Sequence, residues 1–284
     1  MVAPLRRVVV KSPRAAFGSI EAIAAQWEPL GYLGPPDIEK ADAAHQQFVA
    51  LLENGGAEVL HLPEAPGTGL DSLYVRDPVL VTDAGAVLLR MGKVARRGEV
   101  APYRAALDAW GLPILGELTG EATAEAGDMV WLDPETLLVG RGFRTNTAGI
   151  GQLTDLLAPL GVQVQAFHLP YEHGPGEVLH LMSFLSPVDE DLAVVYRRLM
   201  PVPLYELLSE RGIELVDVPD AEYRTMASNV FALGPRRVVM VAGNPVTRAR
   251  LEAAGCRVSE IDGSELCVPG AGGPTCLTRP LVRG

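Results

Sequence analysis

The strongest constraint on the fold is a phrase that recurs along the chain: a helical pattern, a glycine, and then a short extended run. It occurs five times in 284 residues, at Gly55-Gly56, Gly111, Gly161, Gly212 and Gly255. Glycine suits the end of a helix because it adopts the left-handed conformation without a steric penalty. Five copies predict five similar units, as in a propeller-like or solenoid array.

Within each unit the pattern predicts strand, strand, helix, strand. Asp83-Ala84-Gly85 and Asp133-Pro134-Glu135 have the composition of hairpin turns between paired strands. Apolar periodicity predicts helices over residues 37–54, 101–110, 149–160, 204–211 and 247–254, and strands over residues 8–10, 79–81, 86–89, 136–139, 193–196 and 238–241. A phosphate-binding glycine motif between a strand and a helix is absent from the sequence, which argues against a nucleotide-binding sheet.

Charge and cysteine content narrow the class of protein. With 24 Lys+Arg against 35 Asp+Glu, the formal net charge is −11, which disfavours nucleic acid and anionic membranes as partners but permits an acidic pocket for a cation. The three cysteines all lie in the last tenth of the chain, so a disulfide framework or a zinc site is not expected. Neither a signal peptide nor a membrane span is evident, and we expect a cytoplasmic protein.

Four short segments carry groups that can perform chemistry. They are Asp71-Ser72-Leu73-Tyr74-Val75-Arg76-Asp77, Glu125-Ala126-Gly127-Asp128, Leu179-His180-Leu181-Met182-Ser183 and Gly270-Ala271-Gly272-Gly273-Pro274-Thr275-Cys276. If strand ends of successive units meet near one axis, a thiol, an imidazole and several carboxylates come together there. Such a set can supply a nucleophile, a general acid/base and a clamp for a cation.

Each of these residues also has a purely structural interpretation. A cysteine after a glycine-rich turn is often inert, Asp77 can cap the turn at Pro78, and Arg144-Thr145-Asn146 can cap the helix that follows. Cys256 and Cys267 are expected to be packing residues. The case for chemistry therefore rests on the set and its order rather than on one residue.

In that order, the segments resemble the dimethylarginine dimethylaminohydrolase family of the guanidine-modifying (amidinotransferase/arginine deiminase) superfamily. The resemblance runs from about residue 37 to the C-terminus, and it also includes Ala95-Arg96-Arg97-Gly98-Glu99-Val100 and Arg144-Thr145-Asn146. It implies a five-bladed α/β propeller of ββαβ units with pseudo-fivefold symmetry, the pentein fold. Residues 1–284 are then expected to form a single catalytic domain.

The resemblance also implies roles for individual residues. Cys276 matches the nucleophile that attacks the guanidinium carbon, His180 the acid/base, and Glu125 the acid that orients this histidine. Asp71 and Asp77 match the carboxylates that clamp the guanidinium. Arg96 and Arg144 match the arginines that bind the substrate's α-carboxylate. No metal or organic cofactor is implied.

Two departures bear on the substrate. Arg76 beside Asp77 is more typical of arginine deiminases, whereas dimethylarginine hydrolases often carry an acid there. Deiminases usually carry an aspartate two residues after the histidine, and this chain has Met182, which offers an apolar wall for N-methyl groups. We give Met182 more weight, because its matched position faces the substituted nitrogens.

A third departure is structural. Ala126 replaces a usual glycine, and the cost should be small unless that position needs a positive φ.

The sequence therefore predicts a hydrolase that converts an N-methylated arginine to citrulline and an alkylamine. Arginine deiminase and arginine dihydrolase activities on free arginine remain open, and amidino transfer is less favoured. A non-catalytic arginine-binding protein on the same scaffold is the alternative from another class. The expected partner is a small cationic guanidino compound, and the protein itself is expected to be a monomer or a homodimer.

Overall fold

The computed structural model describes residues 2–284, in which fifteen strands form five three-stranded sheets. Each sheet has one antiparallel and one parallel pairing around its middle strand. The strands are β1 (Leu5–Val10), β2 (Glu58–His61), β3 (Val79–Thr82), β4 (Gly85–Leu88), β5 (Ile114–Glu117), β6 (Met129–Asp133), β7 (Thr136–Arg141), β8 (Gln163–His168), β9 (Leu185–Pro187), β10 (Leu192–Val195), β11 (Glu214–Asp217), β12 (Phe231–Gly234), β13 (Arg237–Val241), β14 (Arg257–Ile261) and β15 (Arg279–Arg283).

Helices connect the middle strand of each sheet to the parallel outer strand. They are α1 (Pro13–Phe17), α2 (Ile20–Leu30), α3 (Ile38–Asn54), α4 (Val100–Ala109), α5 (Thr147–Leu157), α6 (Val202–Glu210), α7 (Asp220–Tyr223) and α8 (Pro245–Ala253), with α7 lying between two units instead. The predicted helices and strands are confirmed to within a few residues, and both predicted hairpin turns join antiparallel strands.

Local sequence explains where these helices begin and end. The Asp37 carboxylate accepts hydrogen bonds from the backbone of Glu39 and Lys40 at the start of α3, as an N-cap does. Asn146 caps α5 by accepting from Gly149. Gly111, Gly161, Gly212 and Gly255 all have positive φ after their helices, which explains why the five-unit phrase depends on glycine.

The first unit is assembled from both ends of the chain. The C-terminal strand β15 pairs antiparallel with β1, and β1 pairs parallel with β2. Three helices, α1 to α3, replace the single helix of the other units, and α1 and α2 were not predicted. Because β15 follows the fifth unit in the chain and pairs with β1, it links the fifth unit to the first.

One strand of each sheet lines a common central cavity. These strands are β3, β6, β9, β12 and β15, each the antiparallel outer strand of its sheet. We call them the inner strands. Their convergence on one cavity confirms the predicted five-unit α/β arrangement, while buried aliphatic clusters fill the space between sheets and helices. None of the helices among residues 2–284 is both long enough and apolar enough to span a lipid bilayer.

Candidate active site

The candidate catalytic groups lie just before the inner strands, at corresponding places in the five units. Asp77 precedes β3, Glu125 and Asp128 precede β6, His180 precedes β9, Asn229 precedes β12, and Cys276 precedes β15. The pseudo-fivefold arrangement therefore brings segments far apart in sequence to one end of the axis. The contacts described below connect them.

His180 and Glu125 form a buried pair. The imidazole Nε2 lies 2.8 Å from Oε2 of Glu125, whose side chain is fully buried. Burial lowers the pKa of His180, but the carboxylates of Asp128, Asp77 and Glu125 outweigh it and raise the pKa to about 9. The imidazole therefore carries a proton at neutral pH and can act as an acid.

Glu125 is held as a carboxylate by several donors. Arg144 Nη1 lies 3.2 Å from Oε2, and the backbone N–H of Lys93 donates to Oε1 at 3.0 Å. Burial opposes ionisation, yet the hydrogen bond and charge of His180, together with Arg144, hold the pKa of Glu125 well below its usual range. The negative charge that faces His180 is therefore permanent over the working pH range.

Asp77 is positioned on both of its oxygens. Oδ1 accepts a 2.9 Å hydrogen bond from the backbone N–H of Gly127, and Oδ2 lies 2.6 Å from Nη1 of Arg96. Arg96 also makes paired hydrogen bonds to Glu99 and donates to the carbonyls of Asp71 and Tyr74. The Asp77 carboxylate is thereby fixed next to the Gly127 turn.

This network engages Arg96, whose predicted role in binding the substrate's α-carboxylate stays a prediction. Its guanidinium is buried, and all three of its nitrogens are already bonded. A substrate carboxylate would have to displace these partners. Arg97, the next residue, is exposed, and its Nε makes a long 3.4 Å hydrogen bond to the carbonyl of Met91. Arg144 keeps one ion pair, to Glu125.

Asp71 is buried beside this network. Its Oδ2 forms a 2.6 Å ion pair with Lys93 Nζ, which also donates to the carbonyl of Leu30. Lys93 thus links the end of α2, at Leu30, to the site. A role for Asp71 in substrate binding stays a prediction.

The Cys276 thiol is partly exposed, unlike the buried Cys256 and Cys267. Asn229 Nδ2 donates to Sγ at 3.5 Å, and Oδ1 of Asn229 accepts from both the backbone and the hydroxyl of Thr275. Burial and the Asp77 carboxylate raise the pKa of Cys276. The Arg76 guanidinium and the hydrogen bonds of Sγ with the side chains of Thr275 and Asn229 lower it. The resting site therefore favours the neutral thiol.

Glycines allow the site to pack this closely. A Cβ on Gly127 would lie 2.3 Å from Nδ1 of His180 and 2.9 Å from Oδ1 of Asp77. A Cβ on Gly273 would lie 2.5 Å from Cγ of Asn229. Ala126 does not have a positive φ, so the expected tolerance of alanine there agrees with the backbone.

Two neighbours of the site, Asn229 and Asp128, were given no role from the sequence, although Asp128 belongs to one of the four segments singled out. Asn229 occupies the position in the fifth unit that Asp77 occupies in the second, two residues before the inner strand, so strict use of the repeat would have found it. Asp128 is buried and its Oδ1 accepts from the backbone of Leu181, which fixes the turn after His180. Burial raises the pKa of Asp128 to about 7, against the effect of His180.

Met182 is buried in an aliphatic cluster and lines the central cavity, as does Thr275, the neighbour of Cys276. Contact of Met182 with the substrate stays a prediction. A metal could be considered at Asp77, Glu125 and His180, whose ligand atoms lie within 4.8 Å of one another. These atoms already form the ion-paired network described above, so we interpret them as an acid/base cluster.

Comparison with known proteins places this geometry in a family. The family model described as arginine deiminase matches residues 71–205 and 201–283. The chain belongs to the arginine deiminase family. The predicted superfamily is therefore confirmed, and so, at the level of this family, is the predicted enzyme class, a C–N hydrolase of guanidino groups.

Individual members agree with this family in extent and fold. A dimethylarginine dimethylaminohydrolase of Streptomyces coelicolor is 29% identical over 97% of this chain and 96% of its own. The solved structure of a Pseudomonas aeruginosa dimethylarginine dimethylaminohydrolase, a cysteine-to-serine mutant in complex with citrulline, superimposes with a TM-score of 0.78 at 25% identity, covering 97% of this chain and 98% of that one. The N-terminal domain of a cyanobacterial arginine dihydrolase, ArgZ, shares the fold, with a TM-score of 0.82 at 20% identity over 98% and 97% of the two chains.

Proposed function

We propose that this protein hydrolyses an N-methylated arginine to citrulline and an alkylamine through a covalent intermediate on Cys276. The observation that carries the proposal is the assembly of Cys276, His180, Glu125 and Asp77 at corresponding ends of the inner strands. A non-catalytic arginine-binding protein has no use for a thiol and an imidazolium in this arrangement. Full-length similarity to a dimethylarginine dimethylaminohydrolase supports the choice of substrate.

The first step uses the substrate's own charge. The resting thiol has a raised pKa, and Asp77 contributes to this. A guanidinium bound to Asp77 neutralises that carboxylate and adds a cation beside Sγ, which lowers the pKa of the thiol. Binding therefore produces the thiolate next to the carbon that it attacks, and the proton leaves to solvent or to a neighbouring base.

The remaining steps move one proton through His180. Sγ bonds to the guanidinium carbon, and the C–N bond to the alkylamine breaks as His180 donates its proton to the departing nitrogen. The resulting S-alkylthiouronium is attacked by water, and the neutral imidazole accepts a proton from that water. The C–S bond then breaks, which releases the ureido product and the thiolate. Glu125 stabilises the imidazolium before and after these steps.

Arg97 and Arg144 are the arginines that we assign to the substrate's α-carboxylate. Arg97 is exposed and lies next to the buried Arg96, and Arg144 flanks Glu125. Arg96 instead positions Asp77. Because a guanidinium fork matches a carboxylate in two hydrogen bonds, one or both of these arginines would set the distance from the α-carbon to Cys276.

Hydrolysis of free arginine is the second candidate, favoured by Arg76 beside Asp77 and by the family model. The experiment that separates the candidates measures turnover of arginine, monomethylarginine, asymmetric dimethylarginine and agmatine side by side. We expect dimethylamine and citrulline from dimethylarginine. If arginine yields citrulline and ammonia and dimethylarginine is not turned over, the protein is an arginine deiminase instead. If ornithine is formed, it is an arginine dihydrolase.

Cysteine labelling tests the non-catalytic alternative. Iodoacetamide should label Cys276 before Cys256 and Cys267, since only Cys276 is partly exposed, and a substrate should slow that labelling. Equal labelling of the three cysteines, or no protection by any of the four guanidino compounds, would argue for a protein without an activated thiol.

A further inference from the structure

The central cavity is lined by Thr275 and Arg76, which adjoin Cys276, whereas Cys276 itself does not line it. It has a volume of about 750 Å³, within the range of small-molecule sites. All five inner strands contribute to its wall, which combines apolar side chains, such as Leu80, Met129 and Phe231, with charged ones. We call it the axial cavity.

Four arginines line this cavity. Arg211 is exposed and pairs with Asp133, which leaves Arg76, Arg279 and Arg283. Arg76 and Arg279 are 3% and 5% exposed. Arg76 Nε donates to the carbonyl of Thr275, and Arg283 donates to the carbonyls of Ala3 and Ala232. Two of the three cations thus have neutral acceptors only.

Arg279 has no such neutral acceptor at its Nε atom. Its Nε is buried without a hydrogen-bond partner, and among residues 2–284 its guanidinium has no ion-pair partner. A buried guanidinium without a partner is costly, so such groups are normally paired with an anion or hydrogen-bonded. Burial, together with the charges of Arg76 and Arg283, lowers the pKa of Arg279 to about 9.

The acids near the cavity balance these cations only in part. The Asp77 charge raises the pKa of Arg279, but the Asp77 carboxylate is hydrogen-bonded to Arg96 and Gly127. Asp133, at the rim, pairs with Arg211, and the other rim acids, Asp83 and Glu190, are exposed to solvent. The interior of the cavity is therefore cationic, and the apolar part of its wall is suited to the body of a small organic molecule.

We propose that the axial cavity is a binding site for a small oxyanion, a carboxylate or a phosphate, held by Arg279 with Arg76 and Arg283. The site is separate from the candidate active site and does not depend on the proposed reaction. Guanidinium groups bind both anions through paired hydrogen bonds. The apolar part of the wall favours an organic anion over an inorganic one.

The first test measures binding to the whole protein with three probes, inorganic phosphate, acetate and hexanoate, by calorimetry and thermal shift at matched ionic strength. We expect saturable binding of at least one probe, weakened at least tenfold in Arg279→Met. Arg211→Met is the matched control, since it removes a rim cation, and it should bind as the wild type does. Comparing the affinity for phosphate with the affinities for acetate and hexanoate shows whether the site prefers a phosphate or a carboxylate.

A second control excludes the candidate active site, where Arg97 and Arg144 could also attract anions. Arg144→Met should keep the binding that Arg279→Met loses. The proposal is overturned if no probe binds the wild type, if Arg279→Met binds equally well, or if Arg144→Met alone loses binding.

Labelling of the wild-type protein provides a test that does not depend on how Arg279→Met folds. Phenylglyoxal modification of individual arginines can be followed by mass spectrometry of their peptides. The bound anion should slow modification of Arg279 at least threefold and leave that of the exposed Arg198 unchanged. Equal slowing at both residues, or an Arg279 that phenylglyoxal does not reach in anion-free protein, would contradict an accessible site.

Discussion

The imidazole of His180 lies 2.8 Å from the Glu125 carboxylate, whose same oxygen also faces Arg144 at 3.2 Å. The carboxylate therefore stays ionised while the histidine keeps its proton, with a pKa of about 9. This relationship makes His180 an acid at neutral pH. Once His180 has donated its proton, the neutral imidazole can act as a base.

Glu125→Gln should weaken catalysis by weakening this acid. The amide keeps the shape but removes the charge, so the pKa of His180 falls and less of the donor is protonated. We expect kcat to fall by about 10² or more, with the alkaline limb of the rate profile moved to lower pH. Kinetics from pH 6 to 10 and NMR titration of the His180 ring would measure this, and an unchanged ring pKa would contradict it.

The same pair predicts how stability depends on pH. The pKa of His180 is raised on folding from 6.5 to about 9, so its contribution is complete below pH 6.5 and is lost as pH rises to about 9. That contribution is on the order of 3 kcal/mol. Urea unfolding between pH 6 and 9.5 should show the decline, with a smaller decline in Glu125→Gln. Equal slopes for the two proteins would count against the pair.

Adjacent arginines should behave differently on substitution. Arg96→Gln leaves Asp77 and Glu99 buried without their cation, and we expect a loss of about 3–5 kcal/mol in the free energy of unfolding. Arg97→Gln should leave thermal stability unchanged and raise KM for substrates that carry an α-carboxylate.

Agmatine, which lacks that carboxylate, is the control substrate for this comparison. Its turnover, if measurable, should respond little to Arg97→Gln. If Arg96→Gln is as stable as the wild type and raises KM, the carboxylate-binding role returns to Arg96, as the motif alone predicted.

Gly127→Ala should damage the site through shape alone. The added methyl would lie 2.3 Å from His180 Nδ1, so the ring or Asp77 must move, and we expect kcat to fall at least about 10²-fold, because small displacements of catalytic groups are costly. Ala126→Gly is the matched control next to it and should change kcat little. Similar rates for the two variants would show that the ring is not fixed by this glycine.

Much of the fold could be predicted because it depends on local signals. Gly111, Gly161, Gly212 and Gly255 each end a helix with positive φ, and that requirement is visible in sequence. The first unit was only partly predicted, because α1 is short and α2 contains Pro29 and buries only Ile23. Such segments show little periodicity.

The site was less predictable where neighbours in space decide a role. Arg96 and Arg97 are identical in type, and only burial separates them; Glu99, three residues after Arg96, was the one hint of a pair on a helical turn. Met182 was predicted at the substrate from the resemblance alone, and the structure shows that it lines the axial cavity. Arg279 carried no motif, because its position depends on how β15 closes the ring.

The most direct test of the central claim is rapid acid quenching of the enzyme during turnover, followed by mass spectrometry of the peptide that contains Cys276. With dimethylarginine as substrate, we predict an adduct on Cys276 whose mass equals the substrate minus dimethylamine, absent from Cys276→Ser. Product release by Cys276→Ser at the wild-type rate, or an adduct on Cys256 or Cys267 in place of Cys276, would contradict the claim.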